Sequence, residues 1–151
     1  MPLFPVSTPI GDLTLVERDG AIVAVNWGRS AGAEPSPTPV LAEAAQQLER
    51  YFAGDLAPFD LPLAPAGNAF QRQVWALMCE IRAGYTMTYG EMATRLGSDA
   101  RAVGSACGAN PIPVLIPCHR VVGAGGKLIG YSGRGGIETK VRLLQLEGVL
   151  L

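Results

Sequence analysis

Apolar and polar positions follow two different periods along this chain, and the change falls near residue 67. Before it the pattern is mostly that of strands. Residues 13–16 and 21–27 are rich in apolar and β-branched side chains, and Asp19-Gly20 between them is a two-residue hairpin signal. An earlier strand is predicted near residues 4–6, set off by Pro9 and Gly11. Residues 28–39, rich in Gly, Ala, Ser and Pro, read as a surface loop. Thr38 then offers an N-cap with Pro39 at the first helical position, and Leu41, Ala44, Ala45, Leu48, Tyr51 and Phe52 keep helical spacing until Gly54. Pro58, Pro62 and Pro65 punctuate the stretch beyond Gly54 and leave room for a short edge strand over 59–63.

After a linker at 64–67 the period becomes helical. Asn68 with Gln71 forms a capping box, and Phe70, Val74, Leu77, Met78 and Ile81 make an apolar stripe through about residue 82, with Cys79 packed near it. Thr88 and Glu91 make a second box, opening a helix over 89–96 that Gly97 ends. Ser98 or Asp99 caps another, which reaches about residue 109 before Asn110-Pro111 breaks it. Two short helices joined by a glycine turn outline a helix-turn-helix over about 88–109. Its second helix presents Arg101 near the N-terminus and the small residues Ala102, Gly104, Ser105, Ala106 and Gly108 along its length, which allow close approach to a backbone. A strand over 114–116, the Cys-His-Arg turn, Val121-Val122, a glycine-rich loop and a helix over 136–147 complete the chain. The predicted class is α/β in the α+β sense: a small N-terminal antiparallel sheet with one helix as a scaffold domain over 1–66, then a mainly helical domain over 67–151 carrying the helix-turn-helix and an active-site loop with its motif at 116–121.

Composition alters the picture in two ways. The net charge of −1 hides an asymmetry: residues 1–68 hold three basic against eight acidic side chains, residues 69–151 nine against five. The second part can face a polyanion and the first cannot. Cys79, Cys107 and Cys118 are odd in number and lack CxxC spacing, which argues against a disulfide framework and for a reducing compartment. With one histidine to add, they make a poor zinc set, so neither metal nor cofactor is expected. The first nine residues lack the charged and apolar regions of a leader and no apolar run reaches the length of a membrane span, so a cytoplasmic protein without a membrane partner is expected. The glycines fail as a phosphate loop, because Gly126-Lys127 is followed by Leu128 rather than Ser or Thr.

The chemistry gathers at Cys118, which ends an apolar run closed by Pro117 and precedes the only histidine, His119. A cysteine is ordinarily a small core hydrophobe, but a neighbouring base promotes the thiolate that makes sulfur a nucleophile. Neighbours on an extended strand point to opposite faces, so the pair needs a bend, which Pro117 and the glycines at 123, 125 and 126 make plausible. Tyr131 can stack on an extruded base and Ser132 can hydrogen-bond its edge. A Cys-His-acid hydrolase or acyltransferase would use the same nucleophile and base while leaving the helix-turn-helix, the basic second half and Arg101 idle.

Thr88-Tyr89-Gly90-Glu91, Ala100-Arg101-Ala102-Val103-Gly104, Asn110-Pro111, Ile116-Pro117-Cys118-His119-Arg120-Val121, Gly130-Tyr131-Ser132-Gly133 and the closing Leu143-Leu144 to Glu147-Gly148 together resemble the O6-alkylguanine-DNA alkyltransferase family over about residues 69–149. The N-terminal sheet and helix are similar to that family's variable first domain. The resemblance implies direct-reversal DNA repair: one alkyl group passes irreversibly from O6 of guanine in duplex DNA to Cys118, in a single turnover, with O4-alkylthymine as a further candidate lesion. It implies that His119 is the base, working through a water rather than touching the sulfur, and that Glu147 holds its tautomer. By the same resemblance Tyr89 crowds the target phosphate and donates toward the base, and Arg101 fills the space left by the flipped nucleotide. Ala102, Gly104 and Ser105 lie on the DNA-facing helix, Asn110 is a hinge, and Val121, Tyr131, Ser132 and Lys140 belong to the base pocket. Arg120 is given a structural or ionic role, and the protein is expected to be monomeric. Proteins similar to this family that only bind alkylated bases lack the reactive cysteine, which Cys118 argues against. The chain departs from the family pattern in its tight Gly97-Ser98 turn and its longer, more basic 133–136 segment.

Overall fold

The computed structural model describes residues 1–32, 36–129, 131 and 135–149, and Ser132 lies outside them. The chain divides into two compact units, Met1–Ala66 and Gly67–Leu151. In the first, β1 (Leu3–Thr8), β2 (Gly11–Arg18) and β3 (Ala21–Trp27) form an antiparallel sheet in that order. Asp19 and Gly20 both take positive φ, 51° and 81°, the turn geometry whose twist matches two antiparallel strands. Leu13, Leu15 and Ile22 are fully buried, and α1 (Pro39–Phe52) contributes Leu41, Ala44 and Leu48 to the same core. Thr38 caps α1 through its hydroxyl. Gln47 is buried and exchanges hydrogen bonds with both backbone groups of Asp60, which pins the proline-rich return segment. That segment is less than the edge strand predicted over 59–63. Only Leu63 bridges Ile22, because prolines withhold the donors a ladder requires.

The second unit opens with α2 (Ala69–Cys79), closed at its start by the reciprocal Asn68 and Gln71 bonds. It ends three residues before the predicted limit. Cys79 is exposed rather than packed near the apolar stripe, because it falls with Arg72 and Ala76 on the solvent face of the helix. The anchor that the stripe overlooked is Trp75, 2% exposed, whose Nε1 donates to the carbonyl of Ala106 at 2.8 Å and ties α2 to the helix that carries Ala106.

α3 (Tyr89–Leu96) starts at the Thr88 and Glu91 capping box and stops at Gly97 in the left-handed conformation. α4 (Ala100–Gly108) follows at once, capped by Asp99 rather than Ser98, and the two helices pack together as a helix-turn-helix. β4 (Met87–Thr88) pairs in parallel with β5 (Val121–Val122), so the start of α3 is fastened beside the segment that follows Cys118. α5 (Ile137–Leu146) closes the described chain and buries Leu143 and Leu144. Among the described residues no helix is long and apolar enough to cross a membrane, and no three His, Cys, Asp or Glu side chains cluster as a metal site requires.

Candidate active site

Residues 112–120 are buried throughout, and the strand predicted over 114–116 is absent. The chain instead turns twice. Leu115 N–H donates to Pro113 O at 2.9 Å across Val114, whose φ is 71°. Cys118 N–H donates to Ile116 O at 2.8 Å across Pro117, at φ −81° and ψ 68°. Both are γ-turns. The first needs a conformation that a β-branched residue rarely takes, and full burial of the Val114 side chain holds it there. Asn110 organises the segment, because its Oδ1 accepts from Ile112 N–H and its Nδ2 donates to Ile116 O. An apolar run cannot reveal this, because the groups that bend it lie in a side chain before the run and a proline after it.

The turns deliver Cys118 to the start of a short 3-10 turn, Cys118–Arg120. His119 is fully buried with Nε2 2.8 Å from Oε2 of Glu147. A carboxylate only accepts, so Nε2 carries the hydrogen and Nδ1 is the basic atom. Nδ1 is buried, and no protein group among the described residues bonds to it. Arg120 grips the same carboxylate, Nε to Oε1 and Nη2 to Oε2 at 2.8 Å each, and its Nη1 donates to the carbonyl of Ile81. Sequence reasoning gave Arg120 a structural or ionic role without a partner, and this bidentate pair supplies it. The signal was adjacency to the histidine, but the partner lies 27 residues away.

The electrostatics of the site are set by these bonds. Burial opposes ionisation of Glu147, but hydrogen bonds from His119 and Arg120 outweigh it and bring the carboxyl down to about 2. Burial lowers His119, and although Glu147 pulls it upward, Arg120 opposes that pull. The guanidinium already neutralises the carboxylate, so the imidazole is kept neutral. Both groups bind more protons unfolded than folded, His119 below 6.5 and Glu147 between 4.5 and about 2. Stability is therefore expected to fall as pH drops below 6.5 and to fall again through the carboxylate range. Urea unfolding midpoints across a pH series check this, and a midpoint that stays flat down to about pH 3 contradicts it.

Burial pushes the Cys118 thiol up, while a hydrogen bond from Asn110 and the charge of Lys140 pull it back. Lys140 is itself fully buried. Its Nζ donates to Val121 O at 2.6 Å and Ile129 O at 2.9 Å and lies 5.8 Å from the centre of the Tyr89 ring. It thus fastens both ends of the glycine-rich loop. Burial lowers its pKa, and Cys118 and Cys107 raise it. The Val121 side chain is in the core, so its carbonyl is the part that serves the site. Cys107 is buried, and burial brings its thiol up to about 12.

An open cavity of about 550 Å³ is lined by Tyr89, Ala100, Arg101, Gly104, Gly108, Ile129 and Tyr131. Tyr89 donates to Ile129 O at 3.3 Å, and burial is the main cause that raises its hydroxyl to about 12. Tyr131 is raised chiefly by burial as well, with the charge of Cys118 adding to it. Arg101 and Ser105 are exposed on α4, and Ala102 and Gly104 are half-buried. The cavity therefore joins the exposed face of the helix-turn-helix to the two tyrosines on which the charge of Cys118 acts.

Comparisons with known proteins agree on one family. The DNA-binding domain model of 6-O-methylguanine DNA methyltransferase matches residues 69–149, and the ribonuclease-like domain model of the same family matches residues 6–65. A methylated-DNA–protein-cysteine methyltransferase of Mycolicibacterium paratuberculosis is 45% identical over 150 residues, 94% of this chain and 89% of that protein. One from Methanosarcina acetivorans is 43% identical over 93% of this chain and 94% of its own. The crystal structure of Mycobacterium tuberculosis OGT in complex with DNA superposes with a TM-score of 0.86 at 41% identity, covering 97% of this chain and 92% of that one. Matched along both of its units, the chain belongs to the 6-O-methylguanine DNA methyltransferase family.

Proposed function

We propose that this protein repairs DNA by taking the alkyl group from O6 of guanine onto Cys118, once per molecule. The observation that carries the reading is His119, with Nε2 committed to Glu147 and Nδ1 buried and basic beside the thiol-bearing residue. That is a nucleophile and a base in one buried turn, with an orienting acid reaching them from the end of α5. Sulfur attacks the alkyl carbon in line with the C–O6 bond. The S–C bond forms as the C–O6 bond breaks, and its electron pair stays on guanine. The thiol proton passes through a water to His119 Nδ1, Tyr89 supplies the proton that guanine takes up, and both residues re-equilibrate with solvent. The product is a thioether, so each molecule reacts once.

Relatives support DNA as the partner. The M. tuberculosis protein is bound to DNA, and S. pombe Atl1, 31% identical over 56% of this chain with a TM-score of 0.50, is bound to damaged DNA containing O6-carboxymethylguanine. In this reading Arg101, exposed at the start of α4, enters the duplex, and the glycine at 104 lets the helix approach closely. Asn110 fixes the turn behind the pocket, and the protein acts as a monomer.

Incubating the protein with duplex DNA carrying radiolabelled O6-methylguanine is expected to move one label per molecule onto Cys118, and none with Cys118→Ser. Repeated turnover, or label that persists in the variant, overturns the proposal. Tight binding without any label would instead mark a protein that recognises the lesion and leaves it in place.

A further inference from the structure

Lys127 is exposed in the glycine-rich loop, and an exposed lysine is ordinarily a solvated surface charge. This one stands on a closed turn. Gly123 N–H donates to Lys127 O at 2.7 Å and Gly126 N–H to Gly123 O at 3.0 Å, with Gly125 and Gly126 at φ 71° and 81°, the left-handed conformation that lets so short a segment double back. Lys127 leaves the turn extended, at φ −63° and ψ 133°, and residues two apart on extended backbone share a face. Ile129 is its neighbour on that face. A Cβ at Gly123 would lie 3.3 Å from Lys127 Cβ and 2.9 Å from Ile129 Cδ1, so both side chains pass over the same glycine. Ile129 and Arg101 both line the cavity, and Lys140 Nζ holds the Ile129 carbonyl at 2.9 Å. Lys127 is therefore carried on a braced support beside the cavity wall. Among the described residues no carboxylate lies within ion-pair distance of it. The chain has one other lysine, Lys140, and its ammonium is buried and committed to two carbonyls.

Resting on the alkyl-transfer reading, we propose that Lys127 is the loop-side phosphate contact of the DNA complex, its ammonium pairing with a phosphate beside the nucleotide whose base enters the cavity. A base in the cavity brings its flanking phosphates to the cavity mouth, and those charges call for cations from both walls. On the helix wall Arg101 supplies one, while Ala100, Gly104 and Gly108 supply none. On the loop wall, from Gly123 to Ile129, the one basic side chain is Lys127. Such a contact adds affinity and fixes register without reading sequence.

The test measures binding of duplex DNA carrying one O6-methylguanine to the Cys118→Ala protein, with and without changes at Lys127, over a salt series. Each phosphate neutralised by the protein contributes about 0.9 to the slope of log affinity against log salt. Lys127→Gln is expected to bind more weakly and to lower that slope by about 0.9, so that its deficit shrinks about threefold between about 50 and about 200 mM salt. Lys127→Arg is expected to restore the slope. A single neutral methylphosphonate, moved in turn through the phosphates flanking the lesion, locates the contact: at one position it is expected to weaken binding by the protein that keeps Lys127 and to leave Lys127→Gln unaffected, the coupling expected of a direct pair. A slope that Lys127→Gln leaves unchanged, a loss that arginine does not restore, or a neutral phosphate that weakens both proteins alike at every position overturns the proposal. Should the wild type transfer no alkyl group, the repair reading falls, while these binding measurements still decide the role of Lys127.

Discussion

Replacing Arg120 with methionine is expected to slow alkyl transfer at neutral pH and to move the acid limb of the rate profile upward. In the native site the Glu147 carboxylate is neutralised by the guanidinium, with two bonds of 2.8 Å. His119 can then use that carboxylate as an orienting acceptor without acquiring a proton. Removing the guanidinium leaves a buried anion against the imidazole, and the imidazole responds by binding a proton. The sign is set by the causes already at work on His119, which Glu147 raises and Arg120 lowers. A protonated His119 has no lone pair at Nδ1 and cannot accept the thiol proton, so the rate falls wherever that form dominates. Breaking a buried pair by removing one partner also costs about 3–5 kcal/mol, partly offset here because protonated His119 re-pairs Glu147. The rate of reaction with free O6-benzylguanine across pH reads the first effect and urea unfolding reads the second. A loss of stability with the acid limb unmoved would reduce Arg120 to a brace between Glu147 and the carbonyl of Ile81.

The contrast between what the sequence disclosed and what it concealed comes from the range of the interactions. Helix starts were legible because Thr38, Asn68 with Gln71, and Thr88 with Glu91 each satisfy orphan N–H groups within three residues. The Asp19-Gly20 hairpin is equally local. The strand expected at 114–116 failed for the opposite reason. Its apolar side chains do go inside, but the N–H groups of Leu115 and Ile116 bond back to Pro113 O and Ile112 O, and Asn110 and Cys118 take the Ile116 carbonyl, so none is left for a neighbouring strand. Burial and secondary structure are separate consequences of an apolar run, and the run alone fixes only the first. Trp75 was missed because its indole reaches 31 residues along the chain to Ala106. At the site, the neighbours Cys118 and His119 stood out and the family resemblance supplied Glu147, but the Arg120 clamp and the β4–β5 pair depend on segments that meet only in the folded unit.

Replacing Lys140 with glutamine is expected to lower the reactivity of Cys118 without lowering stability, and the two halves of that result have different causes. Among the described residues no carboxylate pairs with this buried ammonium. Its bonds go to the carbonyls of Val121 and Ile129, both of which a glutamine amide can satisfy. The amide keeps the loop fastened and removes the desolvation of a charge, so stability should hold or rise. The folded lysine binds protons less readily than the ordinary value of 10.5. Wild-type stability therefore increases with pH between the depressed value and 10.5, and the glutamine variant should lack that rise. Reactivity goes the other way, because Lys140 is one of the groups that pull the buried thiol down. Each unit by which the thiol rises removes about tenfold of thiolate. The alkaline rise of the alkylation rate should shift to higher pH, both for O6-benzylguanine and for iodoacetamide, a small electrophile that needs no base pocket. Following the Cys118 peptide by mass separates it from Cys79 and Cys107. Lys140→Met, which loses the charge and the two hydrogen bonds together, should show the same shift plus a further loss confined to O6-benzylguanine, because only that substrate depends on the loop. An iodoacetamide profile identical to the wild type would mean that Lys140 holds the loop and leaves the sulfur to its other neighbours.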